Sequence, residues 1–133
     1  LYNKLYNEGL IDGSFEVEYV CGEDYGTFIF SGSSKNPKLV LEEILNEIEK
    51  IKKNGITENR FNQIKRKHIG RYTRSFNSID NICNLQLDFL TKNMDLFELM
   101  DSLNNVTKEE LENSLNDKLV KENCVLSVII PQS

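Results

Sequence analysis

Hydrophobic and polar positions alternate in one early segment of the chain, and the last segment is almost continuously apolar. Residues 14–21, "SFEVEYVC", place Glu16 and Glu18 opposite a row of apolar side chains, which predicts a half-buried strand. The segment "TFIFSGS" predicts a second strand, and the turn sequence "GEDYG" joins the two strands as a hairpin. The almost continuously apolar "CVLSVIIP" at 124–131 predicts a third strand that is buried on both faces or lies at a sheet centre.

The segments between these strands repeat their apolar residues at helical spacing and predict about five helices. Asn36 and Pro37 suit the first positions of one helix, Thr57 suits the N-cap of the next, and Thr107 with Glu110 has capping-box spacing. A short helix is expected near 95–103. The predicted fold class is therefore α+β, with a small, mostly antiparallel sheet packed by helices on one face.

The 133 residues are enough for one domain, so residues 1–133 are predicted to form a single domain fragment. Three strands make a small sheet for so many helices, and we expect strands outside this sequence to complete it. The sequence begins with Leu1 rather than Met, which suggests that it starts inside a longer protein.

Charge and cysteine content narrow the classes of function. The net charge of −5 argues against general affinity for nucleic acid, because phosphate binding needs a positive field. Cys21, Cys83 and Cys124 form no CxxC pair, so they predict reduced thiols that pack as small hydrophobic groups. No signal peptide or membrane-spanning run is visible, and a cytoplasmic location is expected.

The segment "KRKHIGRYTR" at 65–74 is a positive region on this acidic chain. At helical spacing, four cations share one side of the predicted helix, and we call them the basic stripe: Arg60, Lys67, Arg71 and Arg74. The stripe is interpreted as a solvated helix face that can lie beside acidic neighbours, with a nucleic-acid surface as the alternative. His68 lies among the apolar positions and is expected to be a packed histidine with one hydrogen bond rather than a catalyst.

No catalytic or metal-binding residue is predicted. A single histidine excludes the zinc motifs HExxH and HxxEH within this chain. The loop "SGSSKNP" at 31–37 lacks the GK[ST] of a phosphate loop, so its polar residues are expected to cap a helix. The glutamates of 42–49 are interpreted as residues of a solvent-exposed helix face. Those of 109–112 are interpreted as acids of a first helical turn, and neither group is interpreted as a catalytic pair.

Three segments in a fixed order carry a family resemblance. In "LYNKLYNEGLIDGSFEVEY" a helix with LY..L...GL leads into an alternating strand. In "GTFIFSGSSKNPKLVLEEILNEIEKI" a strand ends in G-x-S/D-x-x-P and opens a helix. The segment "GITENRFNQIKRKHIGRYTRSFNSIDNIC" contains G-[IV]-[TS]-E-x-[ED/R]-[FL]-x-x-x-K and a later G-R. Over nearly its whole length the chain thus resembles the M16 zinc metallopeptidases, the insulinase-like and processing-peptidase-like family.

The resemblance implies half of an M16 metallohydrolase-like domain, namely the later part of a C-terminal, non-catalytic domain of the bacterial type. In that family the first domain carries HxxEH and a distant Glu, so zinc is implied for the parent protein and not for this chain. The implied partners are the N-terminal domain of the same parent chain, a second M16-type subunit and unfolded peptide substrate. Neither a membrane nor a nucleic acid is an implied partner.

One departure from the family pattern affects the substrate site. Many active members supply an Arg and a Tyr near the second strand and the following helix. The equivalent region here, "YGTFIFSGSSKNPKL", has no Arg, and Tyr25 precedes the strand. The resemblance therefore assigns no substrate-binding residue. It leaves two functions open: an enclosing domain of a zinc metalloendopeptidase that cleaves unfolded peptides, or a scaffold subunit of a peptidase pair without its own zinc site.

Overall fold

A computed structural model describes residues 1–130, and the predicted α+β class is confirmed. The elements in chain order are α1 (Tyr2–Asn7), β1 (Glu16–Cys21), β2 (Gly26–Ser31), α2 (Pro37–Asn54), α3 (Glu58–Ser75), α4 (Ile79–Leu90), α5 (Leu96–Asn105), α6 (Lys108–Lys118) and a 3-10 turn (Lys121–Asn123). The chain divides into two compact units. The first contains residues 1–18, 28–55 and the chain from 112 onward, and the second contains residues 19–27 and 56–111.

The predicted hairpin is present as a two-stranded sheet of β1 and β2. Its turn is closed by the N–H of Gly22, which donates to the carbonyl oxygen of Tyr25 at 2.9 Å. At the other end, the Ser31 hydroxyl donates to Glu16 at 3.4 Å. Both contacts agree with one antiparallel register, in which residue numbers of facing positions add to the same value.

The core of the first unit lies between α1, α2 and the base of the hairpin. The spacing of apolar residues on α2 puts Val40 and Ile44 on one face, where both are buried. The buried cluster is Leu5, Ile11, Phe15, Val40 and Ile44, with Leu10, Phe30 and Ile48 packed against it. The Asn36 side chain accepts a hydrogen bond from the N–H of Leu39 at 3.3 Å, so the predicted N-cap of α2 is confirmed.

Two glycines of this unit hold conformations that suit few other residues. Gly9 has a φ of 67° and ends α1, while the N–H of Leu10 donates to the Leu5 carbonyl oxygen at 3.0 Å. Gly32 has a φ of 156°, and a Cβ there would lie 2.8 Å from the Cα of Phe15. Gly32 therefore lets β2 pass close to the buried Phe15.

The second unit is built from three helices, and α5 packs against both α3 and α4. Each helix contributes one buried apolar side chain: Phe61, Phe89 and Leu96. Side-chain N-caps begin all three helices, from Thr57, Ser78 and Asp95, and the first confirms the prediction. After α4 the chain turns at Asn93, which has a φ of 53°. The N–H of Met94 then donates to the Phe89 carbonyl oxygen at 2.9 Å.

The prediction of a third strand is wrong for the residues that the structure describes. Residues 124–130 form no strand, and their side chains are exposed, with Val125 91% and Ile129 97% accessible. A strand that is buried on both faces needs neighbours on each side, and residues 1–130 provide none for this segment. The final residue of the predicted strand, Pro131, lies outside the described residues. None of the helices within 1–130 has the length and apolarity needed to span a membrane.

Candidate functional site

The hairpin presents one face to the core of the first unit and leaves the other open. Phe15 and Phe30 belong to the core and define the covered face. Side chains alternate along a strand, so the neighbouring positions on β1 and β2 form the opposite face. We call this surface the open sheet face: Glu16, Glu18, Ile29 and Ser31, all of which are exposed.

The covered face of the hairpin is also incompletely buried. The alternation predicted that Val17 would lie with Phe15 in the core, but the Val17 side chain is 52% accessible. Among residues 1–130 the sheet has two strands, and the helices of the first unit bury its base only. Together with the unpaired apolar segment 124–130, this leaves the first unit with more exposed apolar surface than a closed domain shows.

The loop at 31–37 uses its polar groups locally, as the sequence predicted. The N–H of Ser33 donates to the Ser14 hydroxyl at 3.2 Å, and the N–H of Asn36 donates to the Ser34 hydroxyl at 3.0 Å. Asn36 itself caps α2. These hydroxyl and amide groups shape the loop and cap the helix, and they do not converge on a common point as the groups of a phosphate loop do.

Glu43 and Glu110 are engaged in an ion pair and a helix cap that favour their charged forms. Glu43 pairs with Lys4, and the hydrogen bond from that ammonium lowers the pKa of the Glu43 carboxyl and raises the pKa of Lys4. The backbone and hydroxyl of Thr107 lower the pKa of Glu110 by hydrogen bonding. A general acid needs a raised pKa, so neither glutamate has the electrostatic environment of one.

The prediction for His68 is wrong, because its side chain is exposed rather than packed. The covered side of α3 runs through Phe61, Ile69 and Tyr72, and His68 lies beside this row. Within residues 1–130 no group of three or more His, Cys, Asp or Glu side chains is placed to hold a metal ion. The donors of this chain therefore do not fit the zinc that the family resemblance implies for the parent.

The four residues of the basic stripe lie on α3 and are all exposed. In the part of the chain that the structure describes, none of them forms an ion pair with a carboxylate. Arg74 donates from Nε to the carbonyl oxygen of Gly70 at 3.2 Å, within its own helix. These four side chains form a positive surface on α3. A nucleic-acid ligand for this surface stays a prediction from the sequence.

The thiols and one helix face are more exposed than the sequence suggested. Cys83 and Cys124 are exposed free thiols and Cys21 is half-buried, so the expectation of packed sulfurs is wrong for two of the three. On α4 the apolar pattern runs around most of the helix, but only one side is covered. Ile79 is 79% accessible, and Leu87 and Leu90 are exposed as well.

The second unit has an open depression of about 320 Å³ between the end of α3 and α4. It is lined by Ser75, Asn81, Asn84, Leu85 and Asp88, and it is open to solvent. A ligand site of this size is normally concave, apolar and enclosed, with a few convergent polar groups. The depression lacks that enclosure, so we assign no ligand to it.

No sequence pattern singled out Lys65, although its side chain makes several informative contacts. Its ammonium donates to the carbonyl oxygens of Asn104 at 2.7 Å and Val106 at 2.8 Å, and it lies 5.7 Å from the centroid of the Phe61 ring. Lys65 stands in a run of cations, and only its position on the covered side of α3, four residues after Phe61, distinguishes it.

Comparison with known proteins gives a family match and two longer relatives. Residues 1–67 match the family model described as "Peptidase M16 inactive domain". The Bacillus subtilis (strain 168) protein named "Uncharacterized zinc protease YmfH" is 23% identical over 132 residues, which are 99% of this chain and 31% of that protein.

The second relative is a solved structure, an M16-like peptidase from Alicyclobacillus acidocaldarius. The two structures superpose with a TM-score of 0.73 at 23% sequence identity. The matched region covers 87% of this chain and 28% of the chain in the solved structure. The chain thus spans less than a third of the length of either protein.

Proposed function

Because this chain belongs to the M16 peptidase family, as a C-terminal inactive domain of a peptidase-like protein, we propose that it encloses the peptide substrate of a zinc metallopeptidase without performing the chemistry. Residues 1–133 would be the later part of that C-terminal domain. Its partner in the same parent chain would be an N-terminal domain that carries the zinc site.

The observation that carries the proposal is the unfinished sheet of the first unit. Within the described chain the hairpin has only two strands, and the apolar segment 124–130 is exposed and forms no strand. A polypeptide with free strand edges and apolar side chains pairs readily with another strand. Strands from the parent chain would complete this sheet, and its open face would then form part of the wall around the peptide.

The open sheet face is the part of this chain that we expect to contact substrate. It carries Ile29, which faces Glu18 across the hairpin, and Ser31, which faces Glu16, and all four residues are exposed. The core of the first unit packs against the base of the other face, and this face is available to a bound peptide. No individual substrate-binding residue follows from the family pattern, since the expected Arg is absent from "YGTFIFSGSSKNPKL".

The proposal is tested on the full-length protein by zinc content per chain and by cleavage of an unfolded peptide with and without a chelator. Bound zinc and chelator-sensitive cleavage are expected, because a metal-bound water is the nucleophile that such a peptidase needs. Ile29→Lys should then raise KM and leave the zinc content unchanged. Glu42→Lys, at an exposed position of α2, is the matched control and should change neither.

The alternative function is a scaffold subunit that stabilises an M16-type partner. The missing Arg in the second-strand region favours it, since a partner would have to supply that contact. Zinc without cleavage, restored by adding a second M16-type subunit, would support a peptidase pair. If the protein shows neither bound zinc nor cleavage under any of these conditions, the scaffold role is the function that remains.

The setting of the parent protein is part of the same proposal. Three free thiols, two of them exposed, favour a reducing compartment such as the bacterial cytoplasm. Both relatives come from bacteria, which supports a bacterial source. Fractionation of cells that express the full-length protein from its own promoter would test the location, and recovery with the membrane or outside the cell would contradict it.

A further inference from the structure

We propose that the basic stripe of α3 is a docking surface for an acidic segment of a partner protein. The stripe lies in the second unit, whereas the residues of the open sheet face that the proposed function uses belong to the first. This inference and the proposed peptide enclosure can therefore be tested independently. Four observations support it: the charge contrast between α3 and the rest of the chain, the geometry of the stripe, its lack of internal partners, and its lack of stacking groups.

The charge contrast is large for so short a chain. Helix α3 contains six Lys or Arg residues and one Glu, whereas the remainder contains ten Lys or Arg and twenty Asp or Glu. The net charge of the whole chain is −5, so α3 is a positive helix on a negative protein. Such a local reversal directs an acidic partner to one place and disfavours its binding elsewhere.

The four cations are aligned along the helix. Arg60, Lys67, Arg71 and Arg74 follow one another at seven, four and three residues, so they stay on one side over about 21 Å of helix axis. Gln63 and Gly70 occupy the same side, and Glu58 does not. A row of carboxylates on a helix or on an extended segment has the shape that this row of cations requires.

The stripe is not neutralised from within, in contrast to the lysines of α2. Lys50 pairs with Glu47 at 3.7 Å, and Lys52 pairs with Glu49 at 3.2 Å, each three residues apart on the same helix. Over residues 1–130, no carboxylate comes within ion-pair distance of the four stripe residues. Their exposed charges are therefore available to an external partner.

The same surface is poorly suited to nucleic acid. Single-stranded nucleic acids bind where cations alternate with aromatic side chains on which bases stack, and the aromatic residues of α3 lie off the stripe. Tyr72 and the buried Phe61 belong to the covered side of the helix. The acidic remainder of the chain also repels a phosphate backbone.

The experiment measures binding of two fluorescent probes of equal length to the full-length protein at low ionic strength. The probes are a peptide of ten glutamates and a ten-nucleotide thymidylate DNA. The glutamate peptide should bind, and added salt should weaken it, because the Debye length falls to about 10 Å at 0.1 M. The double variant Arg71→Glu, Arg74→Glu should weaken it by about tenfold, since two attractive contacts become repulsive.

The matched control is the double variant Lys35→Glu, Lys53→Glu, which makes the same change in net charge at exposed positions off the stripe. Its affinity for the glutamate peptide should stay within about twofold of the parent protein. Absence of peptide binding would overturn the proposal, as would equal losses in the two double variants. Tighter binding of the thymidylate than of the peptide, lost in the stripe variant, would instead identify a nucleic-acid surface.

Discussion

Lys65 on α3 donates a hydrogen bond from its ammonium to the carbonyl oxygen of Val106, the residue that follows α5, at 2.8 Å. A second bond at 2.7 Å reaches the carbonyl oxygen of Asn104. The last carbonyl groups of a helix have no intrahelical donor and carry the negative end of its dipole. One side chain therefore closes the end of α5 and ties it to α3.

Replacing Lys65 by Met should destabilise the protein, because the methylene stem remains while both hydrogen bonds are lost. Hydrogen bonds that involve a charged group contribute up to about 3 kcal/mol, and partial exposure at this site reduces the expectation to about 1–2 kcal/mol. Urea denaturation followed by circular dichroism measures the free energy of unfolding. Lys67→Met, at an exposed position of the same helix, is the control and should change it by less than about 0.5 kcal/mol.

Local features of this fold could be predicted from the sequence because their energies come from neighbouring residues. The hairpin, the caps at Asn36 and Thr57, and the capping box of Thr107 with Glu110 each depend on a few adjacent positions. The helical spacing of apolar residues likewise predicted α2, whose buried residues are Val40 and Ile44. Every one of these predictions is confirmed.

Features that depend on distant segments could not be predicted in the same way. The bonds of Lys65 join residues about forty positions apart, and no local pattern marks them. His68 was assigned to the apolar side of α3, but the helices that pack there cover a row beside it. The segment 124–130 has the composition of a buried strand, yet pairing needs a neighbour that residues 1–130 do not supply. The sequence pattern identified the basic stripe on α3 but did not identify a ligand for it.

Gly32→Ala should destabilise the protein by about 1–3 kcal/mol. The new methyl would lie 2.8 Å from the Cα of Phe15, and a φ of 156° is unfavourable for alanine. Thermal and urea denaturation would measure the loss. Gly13→Ala is the matched control, because no heavy atom lies within 4 Å of its Cβ position. Equal stability of the two variants would show that Phe15 and β2 can separate without cost.

Glu110 should make stability depend on pH in the acid range. The N–H and then the hydroxyl of Thr107 donate to the Glu110 carboxylate and hold its pKa below the ordinary value. The folded state therefore binds fewer protons than the unfolded state, so this contribution is full above the ordinary glutamate pKa of about 4.3 and is lost as pH falls through the lowered value.

Glu110→Gln removes this titration while keeping an acceptor for the cap. The free energy of unfolding should then decrease less steeply than in the parent chain as pH falls from about 6 to 3. Denaturant titrations at several pH values give the two slopes. Glu109→Gln, one residue earlier in the same helical turn, makes the same change in net charge without touching the Thr107 cap and serves as the control for charge alone. Parallel slopes for the parent chain and Glu110→Gln would contradict this role of the cap.

The three thiols should differ in their rates of modification. Cys83 and Cys124 are exposed and Cys21 is half-buried, so a maleimide reagent should reach the first two before the third. Mass spectrometry of peptides from samples quenched at increasing times would assign each rate. Addition of urea should bring the rates together, because burial is then removed. Faster labelling of Cys21 than of Cys124 in the native chain would contradict the exposures described.

The segment 124–130 should exchange its amide hydrogens quickly in the isolated 133-residue chain and slowly in the full-length protein. Its amides make no strand pairing within residues 1–130, whereas strands of the parent domain would supply acceptors if they complete the sheet. Hydrogen exchange measured by mass spectrometry on both samples tests this directly. Residues 16–21 provide the internal reference, because β1 is already paired with β2 in this chain. Equally fast exchange of 124–130 in the full-length protein would mean that the sheet is completed without this segment. Its exposed apolar side chains would then need another binding partner.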